Sequence, residues 1–264
     1  MKIAHAISLI TCKNPTKVKG FLDALVILRH SIHQNSIHAD PSFWKNQNQT
    51  HHVSKYSYQM YAIVHQQGCA QDNPEMPDLL QRLGYIPIIV STPVPLHTIV
   101  NDWYRNHVES ENCCGSKEFI KLYAYTLTHH PIVVHWDLDV AVLQPMDDLF
   151  DAMLYPHDSP QGQAARARLQ LERPSQQRRL PERIDAFLTR DITSAQPWET
   201  VQAVQGGFVV ARPNVTHFEL YQDLIVQGNY TPGRGPGSGW GGMGYGGFQG
   251  AMAYQGTSTI VGRL

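Results

Sequence analysis

The sequence predicts an α/β domain with a mostly parallel central sheet and helices on both faces. Three observations predict it. Short apolar runs of strand length alternate with helix-period segments through the first half of the chain. The runs are apolar throughout, as in Ile132-Val133-Val134, which suits strands buried on both faces. The run over 131–139 ends in two carboxylates, Asp137 and Asp139, where open α/β sheets gather their ligands.

The elements follow in order. Residues 3–10, IAHAISLI, form a first strand, and 20–33 form a helix with Phe21, Leu22, Leu25, Val26, Leu28 and Ile32 at helical spacing. The polar stretch 38–52 reads as a loop, and 58–65 as a second strand. Residues 77–84 give a short helix stopped by Gly84, and 85–92 a third strand. A helix over 116–128, capped by Ser116, leads into a fourth strand over 131–139. Residues 157–198 are rich in Arg and Gln and read as a helical, surface-lying insertion whose arginines form a solvated face. Strand pattern returns at 204–213. A helix over 214–228 opens on Asn214 and closes on Gly228. A glycine-rich loop, 231–250, follows.

The chain has 264 residues, 42% of them hydrophobic, with 21 basic and 22 acidic side chains. That balance argues against a nucleic-acid partner, and no window reaches the roughly 18 apolar residues of a membrane span. The apolar run near the N-terminus is too short for a secretory signal and lacks a clean cleavage site, so it reads as a strand. As it stands the chain is expected to be cytoplasmic, or in the Golgi lumen if an N-terminal anchor is missing. The four cysteines show no zinc spacing, and reduced structural thiols are expected. The His51-His52 and His129-His130 pairs read as surface or loop residues. The sequons at Asn48 and Asn214 say nothing unless the route through the cell is known.

In an extended strand Asp137 and Asp139 face the same way, roughly 6–7 Å apart. Like charges so placed need a cation, and hard carboxylate oxygens suit Mn²⁺ or Mg²⁺ better than zinc. Such an ion leaves positions for diphosphate oxygens and neutralises charge as a diphosphate departs. The bland alternative is a surface turn after a strand. The buried run in front argues against it, because charges beside a core cost free energy unless matched.

The segment EFIKLYAYTLTHHPIVVHWDLDVAVLQPMDDLFD, 118–151, resembles the core of the glycogenin-like glycosyltransferases of family 8. VQGGFVVARPNVTHFELYQDLI, GGFQG and AISLIT resemble that family's later strand and helix, its late Gln-Gly loop and its first strand. The resemblance implies a single GT-A domain over 1–264, truncated at its C-terminus, with the insertion and the glycine-rich loop on it. It implies a retaining, metal-dependent hexosyltransferase that uses a nucleotide-sugar donor, usually UDP-linked, and a sugar or protein acceptor. By the same resemblance Asp137 and Asp139 bind the metal. Lys121 contacts the donor, Leu9, Thr11 and Leu138 line its pocket, Gly206 and Gly207 admit the sugar, and Gln249 faces donor or acceptor. Each has a plain structural reading beside it: an exposed helix face for Lys121, core for Leu9, a strand end for Thr11, relief of crowding for the glycines.

Two departures from the family stand out. Phe248 occupies the position before the Gln-Gly where an acidic residue is usual, and the sequence contains no late His-bearing segment to supply a third metal ligand. Both favour an alternative, a catalytically weak domain that binds a nucleotide sugar or glycan. A haloacid-dehalogenase-like phosphatase, with Asp137 as nucleophile, fits less well. Half the chain precedes the motif, Ala141 stands where Thr or Val is expected, and no late Asp pair follows.

Overall fold

In the computed structural model one seven-stranded sheet runs in the order β3-β2-β1-β4-β6-β5-β7. The structure describes residues 1–12, 15–39, 53–111, 115–171, 180–190, 204–230 and 262–263. The elements are β1 (Lys2–Leu9), α1 (Pro15–Gln34), β2 (Ser57–His65), α2 (Met76–Arg82), β3 (Tyr85–Val90), α3 (Asp102–Glu111), a 3-10 helix (Gly115–Thr126), β4 (Val133–Trp136), α4 (Asp147–Leu154), α5 (Pro160–Leu171), β5 (Ala186–Arg190), β6 (Val204–Ala211), α6 (Val215–Gln227) and β7 (Gly262–Arg263). β3, β2, β1 and β4 pair in parallel. β6 runs antiparallel to both β4 and β5, and β5 pairs in parallel with β7. The mostly parallel sheet expected from the sequence is present.

Alternation along the strands sorts side chains into two cores. Ile3, Ile7, Met60, Ala62, Val64, Val134 and Trp136 face the layer of α1, α2, α4 and α5. Ala4, Ala6, Tyr61, Ile63, Val133 and Val209 face the 3-10 helix, α3 and α6. In α1, Leu25, Leu28 and Ile32 are buried, while Val26, expected on the same face, is exposed. α6 starts as its sequence predicts: the Asn214 side chain accepts from the Thr216 amide, and Gly228 closes the helix at φ 60°. Gly84, at φ 82°, ends the turn after α2.

The structure corrects several expectations. Cys12 and Cys69 form a disulfide across 57 positions, so these two thiols are not reduced. The 157–198 region is not simply a surface helix, because β5 lies within it and buries Phe187 and Leu188 in the sheet. Arg166 of α5 is buried and donates to the carbonyls of Ala152, Pro181 and Glu182, tying α5 to α4 and the following turn. Residues 115–126 form a 3-10 rather than an α-helix. Phe119, Leu122 and Tyr125 recur every third residue and are buried, the period of such a helix. Ser116 does not cap it; its hydroxyl and amide bond to Glu109 of α3. His130 is buried, with Nε2 on the Tyr61 hydroxyl and Nδ1 on the Lys2 carbonyl, whereas His129 is exposed as expected. The glycine-rich 231–250 segment and His51-His52 lie outside the described residues.

Candidate functional site

β1, β2, β3 and β4 all end at one rim of the sheet, and antiparallel β6 begins there. β4 stops at Trp136, three residues earlier than a strand reaching Asp139 would. Asp137 continues the ladder by one bond, its amide donating to the Gly207 carbonyl at 2.8 Å, and Leu138-Asp139 then turn away. The two acids therefore sit on a strand end and its turn, not side by side on an extended face. Trp136 is anchored from below by its indole N–H on His5 Nδ1, 3.0 Å, and by ring contact with Phe208. Leu138 packs partly buried on the α1-side core, while Asp139 is exposed and makes no ion pair with a described residue.

Asp137 is held from the other face. Lys121 Nζ donates to Asp137 Oδ1 at 3.1 Å and to Glu118 Oε1 at 3.0 Å. Residues three apart eclipse in a 3-10 helix, so Glu118 and Lys121 stand directly side by side. Both are 6% exposed. Burial alone would lower the lysine's pKa. The charges and hydrogen bonds of Glu118 and Asp137 outweigh it and hold the ammonium above the ordinary lysine value. Lys121 thus reaches Asp137 rather than solvent, and its stem lies in the protein.

Gly207 lies against the second carboxylate oxygen. A Cβ there would stand 2.8 Å from Asp137 Oδ2 and 3.3 Å from its Cγ. Only a residue without a side chain leaves that carboxylate where it is. Gly206 is buried beside it. If Asp137 holds the divalent cation expected from the sequence, Gly207→Ala should displace its carboxylate and weaken Mn²⁺ binding by about 10–100-fold, the range for disturbing a group that orients a metal ligand. Thermal stability should change little, because alanine also restricts the unfolded chain. Titration calorimetry beside a melting curve separates the two effects.

The remaining sites gather at the same rim or fall elsewhere. Leu9 ends β1 with its side chain in the α1-side core, and Thr11 is exposed two residues on. The loop after β1 is bound to the loop after β2 by the Cys12–Cys69 disulfide and by the Cys12 amide on the Gly68 carbonyl, 3.0 Å. Gln249 lies outside the described residues. Sequence reasoning missed Glu118, His135, Ser8 and Lys117. Ser8 and His135 meet at 2.9 Å on the face that carries Lys121. Burial, and then the Lys121 charge, push His135 well below the usual histidine value. Lys117 is half-exposed, and its charge adds to burial in lowering the pKa of His65, the last residue of β2. His65 is fixed, accepting the Gly68 amide at Nδ1 and meeting Thr92 Oγ1 at Nε2. The three-residue spacing of Glu118 and Lys121 was the one visible signal for the buried pair.

The carboxylates near this rim are hard oxygen donors of the type that divalent cations take. Glu118, Asp137 and Asp139 are three carboxylates against the one ammonium of Lys121, leaving two formal negative charges at the rim. Asp137 retains 40% side-chain exposure and Asp139 is open. Among the described residues no group of three His, Cys, Asp or Glu side chains that could hold a metal ion is present.

Among solved structures the chain is similar to the crystal structure of mouse xyloside xylosyltransferase 1 in its apo form. The TM-score is 0.50 and the identity 8%, over 100% of this chain and 84% of that one. No protein-family model matches the sequence, and no curated protein sequence matches it. The likeness shows the fold: a GT-A-like α/β glycosyltransferase fold with a mostly parallel sheet.

Proposed function

We propose that the chain is a metal-dependent glycosyltransferase of the glycogenin-like kind, moving a hexose from a UDP-linked donor to an acceptor hydroxyl with retention. The observation that carries this reading is Asp137. It sits at the carboxyl rim of a GT-A-like sheet, braced by the buried Glu118–Lys121 pair on one side and left clear by Gly207 on the other. Asp137 and Asp139 are the residues that would hold Mn²⁺ or Mg²⁺. Bound there, the ion supplies neutralisation of the nucleoside diphosphate as it leaves. Lys121 keeps the Asp137 carboxylate in one orientation. Half-exposed Lys117 offers a cation for the diphosphate at the β2 side of the rim. The Cys12–Cys69 disulfide and the Cys12 amide on the Gly68 carbonyl would fix the loops after β1 and β2 beside the nucleotide. Positioning and electrostatics are the protein's contribution, and the acceptor hydroxyl is the nucleophile.

A weaker, non-catalytic nucleotide-sugar binder is the second reading, favoured by the absence of a three-residue ligand group among the described residues. Melting curves with UDP-, GDP- and ADP-sugars, with and without Mn²⁺, test the shared premise. A UDP-sugar at a hundredfold excess over Kd should stabilise the fold by about 2.7 kcal/mol, and only with metal present. If no nucleotide sugar gives a metal-dependent shift, both readings fail. Mn²⁺-dependent release of UDP from the donor then separates transferase from binder.

A further inference from the structure

We propose that Asn214 accepts an N-linked glycan, attached as the chain passes through an oxidising secretory compartment. Two independent observations meet here. The first is the Cys12–Cys69 disulfide, whose cysteines are 5% and 0% exposed. A cystine so buried is a structural one, made while the chain folds. Its two thiols surrender two electrons and two protons to a thiol–disulfide oxidant, which secretory compartments supply and the reducing cytosol does not.

The second observation is the sequon Asn214-Val215-Thr216 and its geometry. It lies at the surface between β6 and α6, with Val215 46% exposed and Thr216 exposed. The Asn214 Oδ1 accepts from the Thr216 amide at 2.8 Å, which leaves Nδ2 without a bond to a described residue. A sugar on Nδ2 therefore keeps the helix cap. In the transfer, Nδ2 forms an N–C bond to the anomeric carbon of a lipid-linked oligosaccharyl diphosphate. The C–O bond to the diphosphate breaks, one amide proton passes to base, and the lipid diphosphate departs.

Topology leaves room for the glycan. β6 ends at Ala211, paired with Val133 at the start of β4, so Asn214 lies at the rim opposite Asp137. A glycan there does not cover the candidate donor site. The other sequons are less well placed. Asn229-Tyr230-Thr231 has its middle residue 3% exposed and is followed by Pro232, and Asn48-Gln49-Thr50 lies outside the described residues.

The test maps the full chain purified from the cells that make it. Peptide N-glycosidase in heavy-oxygen water should convert Asn214 to isotope-labelled Asp, with the loss of one glycan's mass. In a secretory host Thr216→Ala should abolish that shift while leaving the Asn214 cap in place, and Thr216→Ser should keep it. Asn214 recovered bare from the natural protein, or a label at Asn214 that persists in Thr216→Ala, overturns the proposal.

Discussion

Lys121→Met is expected to cost about 3–5 kcal/mol of unfolding free energy, the range for breaking a buried ion pair from one side. Methionine fills much of the lysine stem's volume, so the loss is electrostatic rather than a cavity. It leaves Glu118, 8% exposed at its side chain, as an uncompensated buried carboxylate, and frees Asp137 to rotate. Urea unfolding measures it. The diagnostic partner is the double substitution Glu118→Leu with Lys121→Met, which removes both charges. It should recover most of the stability, because an apolar pair of similar volume replaces a buried ion pair at little cost. If Asp137 holds a metal as proposed, the double substitution should not recover metal binding, since Asp137 remains unbraced. A single Lys121→Met that costs less than about 1 kcal/mol, the level of a surface pair, would show that Glu118 and Lys121 do not form the buried contact described.

Replacing both Cys12 and Cys69 with serine is expected to cost about 4 kcal/mol, from the closure entropy of a loop of this length. The two cysteines are 57 positions apart and join the loops after β1 and β2. Gly68, beside Cys69, packs so tightly that a Cβ would stand 2.2 Å from the Ile10 carbonyl oxygen. Loosening this junction should therefore reach the rim where β1 and β2 end as well as global stability. Denaturant midpoints with and without reductant, beside those of the double variant, check it. Equal midpoints for oxidised and reduced protein would mean that the bond is not formed in solution.

The apolar strands were legible: β3, β4 and β6 lie within the stretches read from the sequence, and β1 and β2 each start one residue before theirs. β5 was hidden because its five residues sit in an arginine-rich region whose composition resembles a solvated helix. α6 was legible to its caps, because Asn214 and Gly228 act through local geometry alone. The Asp137–Asp139 pair was legible as a pair, but its geometry was not. Strand length depends on the pairing of β4 with β6, and the ladder ends one bond past Trp136. Glu118 was missed, because its three-residue spacing from Lys121 means burial only in a 3-10 helix. Only the three-residue rise of its helix and the overlying sheet bury it against Lys121. Cysteine pairing is a long-range fact, and four cysteines without a spacing motif do not announce it.

The most direct measurement is UDP binding by titration calorimetry, with Mn²⁺ and with chelator, for the natural sequence and for Asp137→Asn. Asparagine keeps an oxygen for Lys121 and the amide bond to Gly207, so the fold should hold. The account predicts tight binding only with Mn²⁺ and a loss of about 100-fold or more in the variant. Equal UDP affinity in chelator, or Mn²⁺-dependent binding unchanged by Asp137→Asn, would contradict it.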